Sequence, residues 1–214
     1  MCLFPIRFLI FLSVVCMNFS CSQYCYMQKI HSEESCIWKF KPDFERDEYK
    51  TSVDIIGKHI SGILLVKKMP DSSIRIVFTN EMGLGFFDFG FPSHNGFAVY
   101  QIVPQMNKSA LIKTLRKDFE LILFRNMDSS KYYSLADSGY VYHAYPQTKG
   151  VNYYITDAQC GQLVKMQRAS NKKPVMEAFM DQNLPGNAPD SISIRHLNFN
   201  FSISLKKITP LAPQ

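Results

Sequence analysis

The chain has 214 residues, 24 Lys+Arg against 18 Asp+Glu, and a formal net charge of +6 at pH 7. Hydrophobic residues at 46% and charged residues at 20% exclude wholesale disorder, and 10 Gly with 11 Pro exclude collagen-like or low-complexity architecture. The positive balance is too mild and too evenly spread for a nucleic-acid partner. With 17 Phe and 11 Tyr against a single Trp, the composition favours strands.

Residues 1–20 place Arg7 ahead of the apolar run Phe8 to Val15 and close on small or polar residues, the layout of a secretory signal peptide. The run is about half the ~20 apolar residues of a membrane-spanning helix, and no later segment approaches that length. Ser20-Cys21-Ser22 resembles the lipobox of bacterial lipoproteins, although Asn18 and Phe19 depart from its usual residues. The resemblance implies that Cys21 receives a diacylglycerol, is cleaved free and is then N-acylated with palmitate-type chains. Three chains exceed the two signals that stable anchoring needs. Cys16 as the anchor and plain secretion after Ser20 are the rival readings.

Once Cys2 and Cys16 leave with the signal and Cys21 carries lipid, Cys25, Cys36 and Cys160 remain. Three thiols in an oxidising compartment allow one bridge. Cys25–Cys36 is the nearest pair in sequence, and an unpaired set of buried thiols fits equally well. The histidines at 31, 59, 94, 143 and 196 are scattered and no CxxC occurs, so neither a metal nor a cofactor is expected. Residues 21–48 read as a polar, lipidated tether. Arg46, Lys50, Lys58, Lys67 and Lys68 read as a solvated face.

From Tyr49 the pattern has period two. Tyr49, Thr51, Val53 and Ile55 alternate with Lys50, Ser52 and Asp54, then Gly57-Lys58 turns into a strand from His59 to Met69. Pro70-Asp71-Ser72 turns again, and strands are expected at Ser73 to Thr79, Leu84 to Phe91 and Phe97 to Val103. The one clear helix starts with Asn107 as N-cap. It runs for about eighteen residues, with Ala110, Leu111, Leu115, Phe119 and Ile122 on one side. Strands resume at Tyr132 to Ala136, Tyr140 to Tyr145, Asn152 to Asp157, Gln162 to Ala169 and Val175 to Met180. Ile192 and Ile194 are out of phase with Leu197, Phe199, Phe201, Ile203 and Leu205, which reads as one long strand with a β-bulge at Arg195-His196. The domain is expected to span residues 49–208, with a short tail over 209–214. Its class is mainly β (α+β), a curved antiparallel sheet or half-barrel of about ten strands with one principal helix.

Catalytic signatures are missing. Gly83-Leu84-Gly85 is followed by FFDFG and not by a helix, so it is no dinucleotide loop. Glu81, Asp88 and His94 lie close in sequence, but Asp88 alternates outward between Phe87 and Phe89 while the other two sit in loops. The chain reads as a binding protein and not an enzyme. The feature that stands out is apolar load. Phe86, Phe87, Phe89 and Phe91 put aromatics on both faces of one strand, and Phe97, Val99, Tyr100 and Ile102 repeat the pattern. One helix cannot cover some ten strands, so the sheet is expected to curve around an apolar space.

The lipid signal, the stretch ISGILLVKKMPDSSIRIVFTNEMGLGFFDF, the interposed helix and the terminal ISIRHLNFNFSISLKKI together resemble the lipoprotein-localisation superfamily of LolA and LolB, over residues 49–208. The resemblance implies a half-barrel holding acyl chains, exported and lipid-anchored to the bacterial outer membrane in envelope biogenesis. The implied partners are a lipid or the acyl chains of a lipoprotein, with the membrane engaged through the N-terminal lipid. The apolar lining is expected from Leu64, Val66, Ile76, Phe78, Phe87, Phe89, Phe199 and Phe201. The alternative is a tethered interaction lipoprotein that scaffolds an envelope complex through a protein partner, with a packed interior and no ligand.

Overall fold

The computed structural model describes residues 24–209 apart from Asn95 and Asn183; the signal segment, Cys21 and the tail from residue 210 lie outside the described residues. In chain order the elements are β1 (Gln28–Ile30), α1 (Ser35–Trp38), β2 (Arg46–Ile55), β3 (Lys58–Lys68), β4 (Ile74–Thr79), β5 (Gly85–Phe91) and β6 (Ala98–Ile102). Then follow α2 (Ser109–Ile122), a 3-10 turn (Ser129–Lys131), β7 (Tyr133–Asp137), β8 (Tyr140–Pro146), β9 (Val151–Asp157), β10 (Leu163–Ala169), β11 (Pro174–Asp181), β12 (Ser191–His196) and β13 (Phe201–Lys207).

All thirteen strands form one antiparallel sheet in the order β1-β7-β8-β9-β10-β11-β12-β13-β2-β3-β4-β5-β6. Two meanders, β2 to β6 and β7 to β13, are therefore stitched together where β13 lies along β2, with Phe201 opposite Ile55 and Lys207 opposite Tyr49. The sheet is curved and unclosed, its edges being β1 and β6. Thirteen strands laid flat would extend some 60 Å at ~4.8 Å per strand. Yet a single buried cluster joins inward side chains from ten of them, from Phe89 and Ile76 through Ile203 and Met166 to Tyr154 and Tyr145. Curvature brings these rows together around α2, whose fourteen residues reach only ~21 Å.

Alternation supplies that inner face. On β13, Phe201, Ile203 and Leu205 are buried while Ser202 and Ser204 lie on the opposite face. Helix α2 lies inside the curve and is pinned there by polar contacts. The fully buried Asp118 takes Arg168 of β10 and His196 of β12, each at 2.8 Å. Tyr154 of β9 donates to the Leu121 carbonyl at 3.0 Å. A smaller apolar cluster covers the outer face of β7 to β10, where Tyr24 stacks on Tyr153 at 4.6 Å between ring centroids.

Several expectations are corrected. Residues 24–48 are no polar tether: Ile37, Phe40 and Phe44 are buried in the main core, and β1 pairs with β7. The three apolar side chains are spaced so that one turn of helix and a short loop bury all of them, although the residues around them are polar. The bridge is Cys36–Cys160, with Cα atoms 6.1 Å apart, and Cys25 is disulfide-bonded as well, so Cys25–Cys36 does not form. The last long strand is two strands, because Leu197 to Asn200 form the turn of the β12–β13 hairpin. A reversal of direction, not a bulge, flips the phase of the apolar residues. With β1 added, this split takes the eleven strand segments expected from the sequence to thirteen, against the class estimate of about ten. Helix α2 begins at Ser109 with Lys108 at its N-cap position, while Asn107 belongs to the preceding turn. Phe86 is drawn inward against Phe78 by a bulge between β4 and β5, so the aromatics of β5 do not divide between two covered faces. At the edge, Tyr100 and Val99 are exposed. The Tyr100 ring fills the space left by Gly90 and sits under the Arg75 guanidinium at 4.0 Å.

Candidate functional site

An apolar cavity of about 800 Å³ opens between the first half of α2 and the inner face of β13, β2, β3, β4 and β5. Its wall on the sheet side is made by Val53, Ile55, Ile60, Leu64, Phe78, Phe87, Phe201 and Ile203, and the helix contributes Ala110, Leu111, Thr114, Leu115 and Phe119. The space follows from side-chain size. Ala110 and Thr114, one turn apart on the first half of the helix, are small, whereas Phe119, Leu121 and Ile122 fill the corresponding volume on the second half. Val53, Ile55 and Ile60 are accordingly only half-buried, although each faces inward. The mouth carries Lys58, Lys108 and Gln105 together with Ile56 and Phe199, which are 78% and 45% exposed.

The mouth is shaped by two hairpin turns. Between β2 and β3, Ile56 and Gly57 both take positive φ (46° and 75°), the two-residue turn geometry that suits the twist of a hairpin. Glycine adopts it freely, but a β-branched residue there is strained. The β12–β13 turn holds Phe199 near Phe201, their ring centroids 5.9 Å apart, with the His196 ring against both at 4.8 and 4.9 Å.

Five of the eight expected lining residues border this cavity: Leu64, Phe78, Phe87, Phe199 and Phe201. Val66, Ile76 and Phe89 do not; they are buried in solid core. Register explains the division. Leu64, Phe78 and Phe87 are opposite one another across β3, β4 and β5, forming one cross-strand row. Val66, Ile76 and Phe89 form the next row along the same strands, where Phe97 closes over Phe89 at 5.2 Å and Phe91 packs against Phe119 at 6.3 Å. The cavity ends between the two rows. Sequence alternation identifies the face but not the row. The helix contribution, Leu111 and Leu115 above all, has its sequence signal in the amphipathic stripe of α2, which does not distinguish a cavity wall from packed core.

The polar chemistry lies elsewhere. Asp88, once a candidate acid, is committed to the Arg75 guanidinium. Glu177, on the outer face of β11, is raised by burial but held down at about 2 by Lys165, Gln167 and Arg195, which all donate to it within 2.9 Å. His143 is fully buried among Tyr132, Thr156 and Cys36, and burial lowers it to about 4, so it is neutral at pH 7. Among the described residues, no three His, Cys, Asp or Glu side chains are grouped to hold a metal, and no helix is long and apolar enough to cross a membrane.

No family model and no curated protein matches the sequence. Among solved structures the chain is similar to a LolA superfamily protein from Nitrosomonas europaea, with 9% identity and a TM-score of 0.49 over 86% of this chain and 96% of that one. It is also similar to a DUF1329 family protein from Desulfovibrio piger, with 9% identity and a TM-score of 0.40 over 83% and 92% of the respective chains. The LolA superfamily named by the sequence resemblance is thus among the structural neighbours.

Proposed function

We propose that the protein is an exported lipoprotein, anchored through Cys21 to the bacterial outer membrane, that holds acyl chains of a lipid or lipidated protein in the cavity beneath α2. The observation that carries this reading is the cavity itself. A volume of about 800 Å³ is walled by aliphatic and aromatic side chains, with cationic and amide groups confined to its mouth. Such a site recognises length and apolar character, and each methylene it buries contributes ~0.8 kcal/mol. It needs no catalytic group. A scaffold with a fully packed interior would leave this space unexplained.

Two measurements test the reading. Native mass spectrometry of protein extracted from membranes is expected to show co-purifying lipid, and a fluorescent fatty acid is expected to bind. Leu111→Trp, which fills the cavity from the helix side, should weaken that binding at least about tenfold while leaving the fold intact; a fatty acid that binds neither form overturns the proposal. The anchor is tested separately. Cys21→Ser should abolish palmitate labelling and release the protein from the membrane fraction. Recovery of Cys21 in a disulfide-linked peptide would instead show that its sulfur carries no lipid.

A further inference from the structure

A second concavity, an open groove of about 1210 Å³, lies between α2 and the turns that join β8 to β9 and β10 to β11. Five cations line it, Lys117 of α2, Lys149 of the first turn, Arg168 of β10 and Lys172 and Lys173 of the second turn, and no carboxylate does. Some cations elsewhere are neutralised by carboxylates: Lys68 by Asp43 and Glu45, Lys165 and Arg195 by Glu177, Lys131 by Asp128. Lys117, Lys149, Lys172 and Lys173 form no ion pair among the described residues. The two turns lie at the same end of the sheet, because each joins an upward strand to a downward one two positions apart in the meander.

One member of the group is fixed. The Arg168 side chain is 14% exposed and its Nη1 is held at 2.8 Å by Asp118, which is itself anchored by His196. Asp118 engages the guanidinium through Nη1, only one of its donor nitrogens, and the Arg168 side chain also lines the groove. Lys117 is partly buried beside it. Burial first, then the charges of Arg168, Lys113 and Lys149, lower its pKa against the opposing pull of Glu120. A rigid planar donor flanked by mobile point charges suits an anion with several oxygens and more than one contact direction, which is phosphate chemistry and not that of a lone carboxylate.

We propose that this groove is a phosphate site, in which Arg168 provides the fixed contact and Lys117, Lys149, Lys172 and Lys173 gather around a phosphate monoester or diester. The ligand is either the headgroup of an anionic phospholipid or a free phosphate, and the site stands independently of the acyl-chain cavity.

The test uses the full chain carrying Cys21→Ser, so that no lipid anchor contributes to membrane binding. Vesicles of phosphatidylcholine alone, vesicles of phosphatidylcholine mixed with phosphatidylglycerol, and inorganic phosphate in equilibrium dialysis are the probes. Preference for phosphatidylglycerol vesicles assigns the headgroup, and phosphate binding without that preference assigns the soluble anion. With ~1 kcal/mol per lysine near an anionic surface, the Lys117→Gln/Lys149→Gln/Lys172→Gln/Lys173→Gln variant should bind vesicles on the order of a thousandfold more weakly. Should that variant fail to fold, Lys172→Gln/Lys173→Gln alters only exposed turn side chains and should still lose about thirtyfold. Fatty-acid binding is expected to be unchanged in both. Binding of neither probe by the parent chain, or undiminished binding in a folded variant, overturns the site.

Discussion

The Cys36–Cys160 bridge ties the N-terminal segment to the β9–β10 turn across 124 residues of chain, and removing it with Cys36→Ala/Cys160→Ala isolates its contribution. In the loop-entropy description, a closed loop of 124 residues restricts the unfolded chain by about 5 kcal/mol at 25 °C. That is a third or more of the stability of an ordinary domain. The noncovalent docking of the segment survives the change. Ile37 is fully buried, Phe40 and Phe44 are each 3% exposed, and Glu34 accepts hydrogen bonds from Tyr145 at 3.0 Å and Ser129 at 2.8 Å. The double variant should therefore fold to the same structure and melt ~10–20 °C lower, at ~2–4 °C per kcal/mol for a domain of this size. Urea and thermal unfolding followed by circular dichroism measure both quantities. A loss below about 1 kcal/mol, or protease cleavage between residues 31 and 45 in the folded variant, would refute the reasoning, because either result means that the segment does not belong to the folded unit.

Three further outcomes are expected. Asp118→Asn leaves the poorly exposed Arg168 without its counter-charge and should cost about 3–5 kcal/mol in urea unfolding, with an Asp118→Asn/Arg168→Gln cycle showing coupling of about 1 kcal/mol or more. His143, held near 4 by burial against an ordinary 6.5, binds its proton more readily in the unfolded chain, so stability should be level above pH 6.5 and fall as the pH drops toward 4. The loss should reach about 2–3 kcal/mol by pH 4.5, and His143→Gln should flatten this window; an unchanged slope in the variant sinks the assignment. Phe44→Ala should destabilise by about 3–5 kcal/mol, measured by urea unfolding, whereas a residue of a loose tether would cost nothing.

The strands that the sequence makes legible are those in which alternation runs for six residues or more, as in β2, β3 and β4, and the helix is legible from its stripe. What escapes is short or mimics something else. β1 has three residues and α1 four, too few to show any period, and the core role of Ile37, Phe40 and Phe44 is hidden among charged neighbours. Leu197-Asn198-Phe199-Asn200 alternates apolar and polar like a strand while forming a turn, which is why two strands read as one. Of the cavity, the inward face of β3, β4 and β5 is readable because side chains alternate. The row at which solid core gives way to open space is not, since it depends on which part of α2 lies above each row.

The position of the cavity is thus a property of the helix more than of the sheet. The inner face presents large apolar residues along most of its strands, and it is the helix that decides where they find partners. Toward its C-terminal end α2 supplies Phe119, Leu121 and Ile122, and the adjoining Phe124 meets Tyr154 at 4.5 Å between ring centroids, so the interior there is filled. Toward its N-terminal end it supplies Ala110 and Thr114, and the facing Val53, Ile55 and Ile60 stay half-buried. Asp118 sits at the boundary, fastening the filled half to β10 and β12. The open half carries no comparable polar pin among the described residues: its first turn has no side-chain cap, and its neighbours across the cavity are apolar. The helix is thus pinned by side-chain polar contacts where the interior is filled, and rests on apolar contact where it is open.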